Sequence, residues 1–104
     1  MSIMGQRLDL QSMLETLLGT DKVYYQPPAS MQMVYPCIVY KRDDADTTFA
    51  DNKPYRITVR YLVTVIDPNP DSLIPAKVAA LPLCTMQRAF SVASLNHDVF
   101  VLYF

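Results

Sequence analysis

Residues 54–66 constrain this chain more than any other stretch. Tyr55, Ile57, Val59, Tyr61, Val63 and Val65 fall on one parity, and Arg56, Thr58, Arg60, Leu62, Thr64 and Ile66 on the other. Strict period two in β-branched and aromatic residues predicts a β-strand. At about 3.3 Å per residue the strand spans roughly 40 Å, about twice the common length. A strand of that reach must bend, carry a bulge, or extend past its own subunit.

The rest of the chain arranges itself around this strand. Residues 7–18 read as an amphipathic helix, with Leu10, Leu14, Leu17 and Leu18 at helical spacing, Met13 widening the stripe and Gly19 as its C′ residue. Val23, Tyr24 and Tyr25 predict a short strand over 22–26, stopped by Pro27-Pro28. The continuous run Cys37-Ile38-Val39-Tyr40 predicts a second strand over 36–42, buried on both faces. Residues 43–53 then read as an 11-residue polar connection holding Asp43, Asp44, Asp46 and Asp51, long for a hairpin loop. Asp67-Pro68-Asn69-Pro70-Asp71 is turn chemistry, after which Asp71 or Ser72 is expected to cap a short helix reaching about Ala80. Ile74, Val78 and Leu81 form its apolar stripe. Residues 86–92 alternate, placing Met86, Arg88, Phe90 and Val92 on one face. Leu95-Asn96-His97 reads as a turn, and 99–104 as a final apolar strand.

The expected fold is therefore α+β, in the order α-β-β-β-α-β-β. An antiparallel or mixed sheet of about four to five strands carries both helices on one face. A chain of 104 residues makes this a single domain, 1–104. The apolar final strand, expected at a sheet edge, is a liability unless something pairs with it or covers it.

Composition narrows the function. The chain is 51% hydrophobic and 18% charged, against an average near 25% charged, which excludes a disordered chain. That much apolar surface is hard to hide in one small domain and predicts subunit interfaces. A net charge of −1 argues against a generic nucleic-acid binder. Arg56 and Arg60 lie in a tyrosine-rich strand, yet the alternation puts Tyr55 and Tyr61 on the opposite face. The tyrosines then read as core, and the arginines as a solvated or interfacial face able to pair with the acidic stretch of another subunit. Cys37 and Cys84 sit in apolar runs and read as free, buried thiols of a reducing compartment. No signal-peptide pattern opens the chain, and no stretch approaches the roughly 20 apolar residues of a membrane span; a soluble protein is expected.

Catalytic chemistry finds no footing. His97, followed by Asp98, has no Ser or Cys motif beside it and reads as a turn residue. One histidine and two isolated cysteines do not give metal-ligand spacing. Asp43, Asp44 and Asp46 lack the glycine and the bidentate glutamate of a calcium loop. Gly5 and Gly19 are the only glycines, and neither follows a strand as a phosphate loop requires. The expectation is no enzyme, no cofactor and no metal.

Several runs resemble the small tail-terminator or tail-completion (minor capsid) proteins of long-tailed phages and prophages. They are Tyr24-Tyr25-Gln26-Pro27-Pro28, Tyr35-Pro36-Cys37-Ile38-Val39-Tyr40 and Phe49-Ala50-Asp51-Asn52-Lys53-Pro54-Tyr55, followed by Tyr61-Leu62-Val63-Thr64-Val65-Ile66-Asp67, Asn69-Pro70-Asp71 and Leu95-Asn96-His97-Asp98. The resemblance covers most of the chain from residue 7 onward, and none of the runs is a chemical motif. It implies a structural virion protein, made in the host bacterial cytoplasm. Its subunits would form a ring, commonly a hexamer, that caps the tail tube and joins it to the head-completion or connector protein, with DNA passing through. Candidate subunit or lumen contacts in such a ring are Asp43, Asp44, Asp46, Phe49, Asp51, Arg56 and Arg60. A plain solvated loop is the alternative for 43–53. A head-completion or stopper component, or a small dimeric binding domain, is the alternative for the chain.

Overall fold

The structure, a computed structural model, describes the backbone of residues 3–50 and 53–104, and the side chains of 7–43 and 59–104. Its elements follow in the expected order: α1 (Ile3–Leu18), β1 (Val23–Tyr25), β2 (Cys37–Ala50), β3 (Lys53–Asp67), α2 (Ile74–Ala79), β4 (Cys84–Val92) and β5 (Leu95–Tyr103). One five-stranded sheet runs β1-β2-β3-β5-β4. β1 is parallel to β2, and every other neighbour is antiparallel, so the sheet is mixed.

The core lies between the sheet and the two helices. Leu10 and Leu14 of α1 and Val78 of α2 are fully buried against Ile38 and Tyr40 of β2, Val59, Tyr61, Val63 and Val65 of β3, and Phe100 and Leu102 of β5. Alternation in β3 thus selects its buried face as expected, while Tyr55 and Ile57 lie outside the described side chains. Tyr25, Tyr40 and Tyr61 form an aromatic row across three strands, with centroids 4.9 and 6.0 Å apart. The Tyr40 hydroxyl donates to Gln11 Oε1 and accepts from Arg7, and Gln11 Nε2 donates to the Val23 carbonyl at 3.0 Å. These bonds satisfy the polar end of a buried ring and fix α1 over β1 and β2. Gly19, at φ +85°, closes α1 in the left-handed conformation its position requires, and its N–H donates to Glu15 O. α2 begins one residue after its expected cap: Leu73 is the N-cap, and Ser72 Oγ accepts from the Ile74 N–H at 3.2 Å.

Four expectations are corrected. Residues 43–53 are not a long loop. β2 continues to Ala50 and pairs with β3 as far as Ala50↔Lys53, leaving only positions 51 and 52 between the strands. The long strand β3 supplies a ladder that satisfies β2's backbone groups. A bulge between Arg42 and Asp44 takes Asp43 out of the ladder. The C-terminal strand is not an edge: β5 lies between β3 and β4, and β4 is the edge. Leu95-Asn96-His97 is not a turn. Val92 pairs with Leu95 across Ala93 and Ser94, both at positive φ (53° and 64°), so the chain reverses in two residues and His97 stands within β5. Such turns ordinarily take Asn-Gly, which is why Ala-Ser gave no signal. Finally, a bulge between Met86 and Arg88 breaks the alternation of β4. Met86 pairs with Phe100 and shares its side of the sheet, whereas Arg88 pairs with Val99 and faces the other way with Phe90 and Val92.

β1 pairs with β2 only at 38–40, and β5 pairs with β3 only at 60–67. Beyond Val59 the β2–β3 hairpin is thus a two-stranded arm, with no third strand among the described residues. The arm draws the molecule out to 51 × 24 × 23 Å.

Cys37 is fully buried and Cys84 partly buried, and both are free. Burial, and secondarily the negative charge of Asp67, push the Cys37 thiol up to about 11 from 9.0. The unfolded chain therefore ionises this thiol first. Stability is unaffected below pH 9 and falls between pH 9 and 11, by roughly 2–3 kcal/mol for a two-unit shift. Cys84, also raised by burial, acts in the same direction from pH 9, and Tyr40 and Tyr61 from pH 10. Urea unfolding at pH 8 and 10.5 is expected to show this loss, and Cys37→Ala to reduce it; an equal alkaline loss in the variant refutes the assignment.

Candidate functional site

The expected contact residues divide into those the structure places and those it does not. Arg60 Nε lies 2.9 Å from Asp43 Oδ2, and each side chain is about a third exposed. The pair bridges β2 and β3 at the bulge where the arm leaves the body, so Arg60 meets the acidic segment of its own chain. A half-solvated pair of this kind contributes about 0.2–1 kcal/mol, enough to orient the base of the arm. The side chains of Asp44, Asp46, Phe49 and Arg56, and residue Asp51 entirely, lie outside the described residues.

The surface that sequence reasoning missed is the β4 edge. No residue of β4 is buried. Met86, Phe90 and Val92 are 48, 38 and 57% exposed, and Leu83 just before the strand is 60% exposed. Arg88 lies over the Phe90 ring at 5.0 Å, and that ring stacks on His97 with centroids 4.8 Å apart. The sequence did show the apolar residues of 86–92. What it could not show was the strand order that leaves them at the rim. Beside Leu83, an apolar groove of about 300 Å³ opens between Met13, Leu81, Leu102 and Phe104.

A second concavity, about 270 Å³, lies between the 67–75 turn and the β4–β5 hairpin. It gathers Asp67, Asn69, Ser72, Asn96, His97 and Asp98, a set that invites a catalytic reading. The hydrogen bonds give it a structural one. Asp67 Oδ1 accepts from the Asn69 N–H at 2.8 Å, and Asn69 Oδ1 accepts from the Asp71 N–H at 3.0 Å. Asn96 Nδ2 donates to the Asp67 carbonyl at 3.1 Å, and Asn96 Oδ1 accepts from Ser91. These groups close turns and lash the turn to the hairpin. His97 Nδ1 lies 3.1 Å from the Leu95 carbonyl, a contact within its own strand. Among the described residues, no group of three or more His, Cys, Asp or Glu side chains could hold a metal ion. No described helix is long and apolar enough to cross a membrane.

Comparison with protein-family models and with curated proteins finds no match for the chain.

Proposed function

We propose that this chain is a structural, non-enzymatic subunit of a homo-oligomeric ring at the head–tail junction of a long-tailed phage or prophage, capping the tail tube. The observation that carries the reading is a sheet that, among the described residues, leaves strand unpaired at both sides: the β2–β3 arm on one and β4 on the other. Unpaired edges in a stable protein are normally blunted or short. Here they are long, and β4 is apolar as well. The runs that resemble those of tail-terminator proteins, from Tyr24 to Asp98, support the same reading, and the resemblance implies the partners: further copies of this chain, the tail tube protein, and a head-completion or connector protein. The arm is long enough to reach a neighbour or a channel. Its segment 43–50 holds three aspartates and no base, a charge that would keep passing DNA from adhering.

Native mass measured by light scattering across concentration, with and without assembled tail tubes, tests this. A discrete ring-sized species, or binding confined to tube ends, is the expected result. A chain that stays monomeric and ignores tubes at every concentration overturns the reading. Binding to the head connector but not to tubes would favour a stopper component instead.

A further inference from the structure

We infer that copies of this chain join edge to edge, the β4 strand of one subunit adding antiparallel to the outer edge of the β2 arm of the next. The inference rests on the ring reading above and specifies its contact.

Both edges are open and their chemistries fit. β4 ends the sheet with all its residues exposed or half-exposed, and its outward backbone groups form a template for another strand. On the far side of the sheet, β1 covers β2 only at 38–40. Pro27-Pro28 then ends β1, and the Gln26 side chain accepts from the Arg42 N–H at 3.3 Å. Past that point β2 continues to Ala50 with β3 alone beside it among the described residues.

Direction, length and charge agree. The antiparallel pairings β2–β3, β3–β5 and β5–β4 make β4 run opposite to β2. A neighbour generated by rotation about an axis to which the strands are tilted, as in a closed barrel, therefore presents its β2 antiparallel to β4. β4 has nine residues. Set with Arg88 beside Asp46, and with Gln87 bulged between Met86 and Arg88, it spans 42–49 and begins where β1 stops. Arg88 is the sole charged residue of β4, while 43–50 is acidic throughout its charged positions. Two β4 edges paired about the same centre would instead oppose Arg88 to Arg88, which is unfavourable. The contact uses a different edge of each subunit, so it is heterologous and propagates into a closed ring or an open filament. It also displaces each subunit along its neighbour's strand, the stagger that a sheet needs to close on itself.

Paired cysteines test the register. Ala89→Cys with Ala45→Cys, in a background where Cys37 and Cys84 are alanine, is oxidised with diamide under assembly conditions and run on a non-reducing gel. The expected result is a ladder of linked oligomers ending in one closed species, with neither single-cysteine variant cross-linking. A dimer from Ala89→Cys alone would put β4 on β4 and overturn the inference. With the native cysteines kept, Arg88→Glu is expected to abolish the assembled species, and adding Asp46→Arg to restore it. This charge pair decides alone where the cysteine variants do not fold. Assembly that survives Arg88→Glu without a ladder overturns this contact and leaves the ring reading standing. The absence of any assembled species, with or without tubes, overturns both.

Discussion

Phe100→Ala is expected to lower stability by roughly 3–5 kcal/mol, the usual cost of removing a buried phenylalanine. Phe100 is fully buried on β5, paired with Val63 on one side and Met86 on the other, beneath the helices. It belongs to the buried cluster between the sheet and the helices, and neighbours held by both strand ladders cannot collapse into the space left behind. A domain of this length holds only about 5–15 kcal/mol in all, so the variant should sit close to unfolding at room temperature. Phe90→Ala is the control. That ring is 38% exposed on β4, and its loss should cost within about 1 kcal/mol. Urea unfolding of both variants, with an unchanged denaturant slope, checks the pair. A small loss at Phe100, or an equal loss at Phe90, would place the core somewhere other than the helix-covered side of the sheet.

The contrast between these two phenylalanines marks what the sequence could convey. Burial within an element was legible wherever alternation or helical spacing was clean. Leu10 and Leu14, and Val59, Tyr61, Val63 and Val65, are buried as their spacing predicts. Order across the sheet was not legible, because strand order is set by non-local pairing that no local pattern encodes. Nothing in 99–104 says that β5 inserts between β3 and β4, and nothing in 84–92 says that this strand ends the sheet. The three register shifts, at Arg42/Asp44 and Thr48/Phe49 between β2 and β3 and at Met86/Arg88 in β4, hid in the same way. Each inserts a residue that looks like a continuation of its strand, and the one in β4 sends Met86 and Arg88 to opposite sides. At 43–50 the failure was one of propensity. Aspartates disfavour strands in isolation, but an antiparallel partner as long as β3 outweighs that preference. The candidate contact residues were legible as a charged group, and the structure adds that Arg60 is held by Asp43 within the chain.

Shortening the arm is the change expected to act most strongly on function while sparing the fold. Asp46 and Thr58 pair directly across the hairpin. Replacing residues 47–57 by Asn-Gly therefore joins two opposed positions with a favoured two-residue reversal. Val59 and every other member of the buried cluster stay in place, as do the Asp43–Arg60 pair and the bulge at the arm's base. The shorter connection also costs less closure entropy. Thermal unfolding should remain cooperative, with a midpoint within a few degrees of the parent, since the two-stranded ribbon contributes little core of its own. Assembly should not survive. The open edge of β2 that follows Arg42 is cut by half, and whatever the tip touches, on a neighbouring subunit or a tail tube, is removed with it. Light scattering and tube-end binding are then expected to report a folded monomer that no longer caps tubes. A truncated chain that still assembles and binds would show the arm to be dispensable and shift the weight of subunit contact onto the apolar rim of β4 and the groove beside Leu83. A truncated chain that unfolds would instead mean that the arm packs against the body, a result incompatible with its projecting beyond Val59.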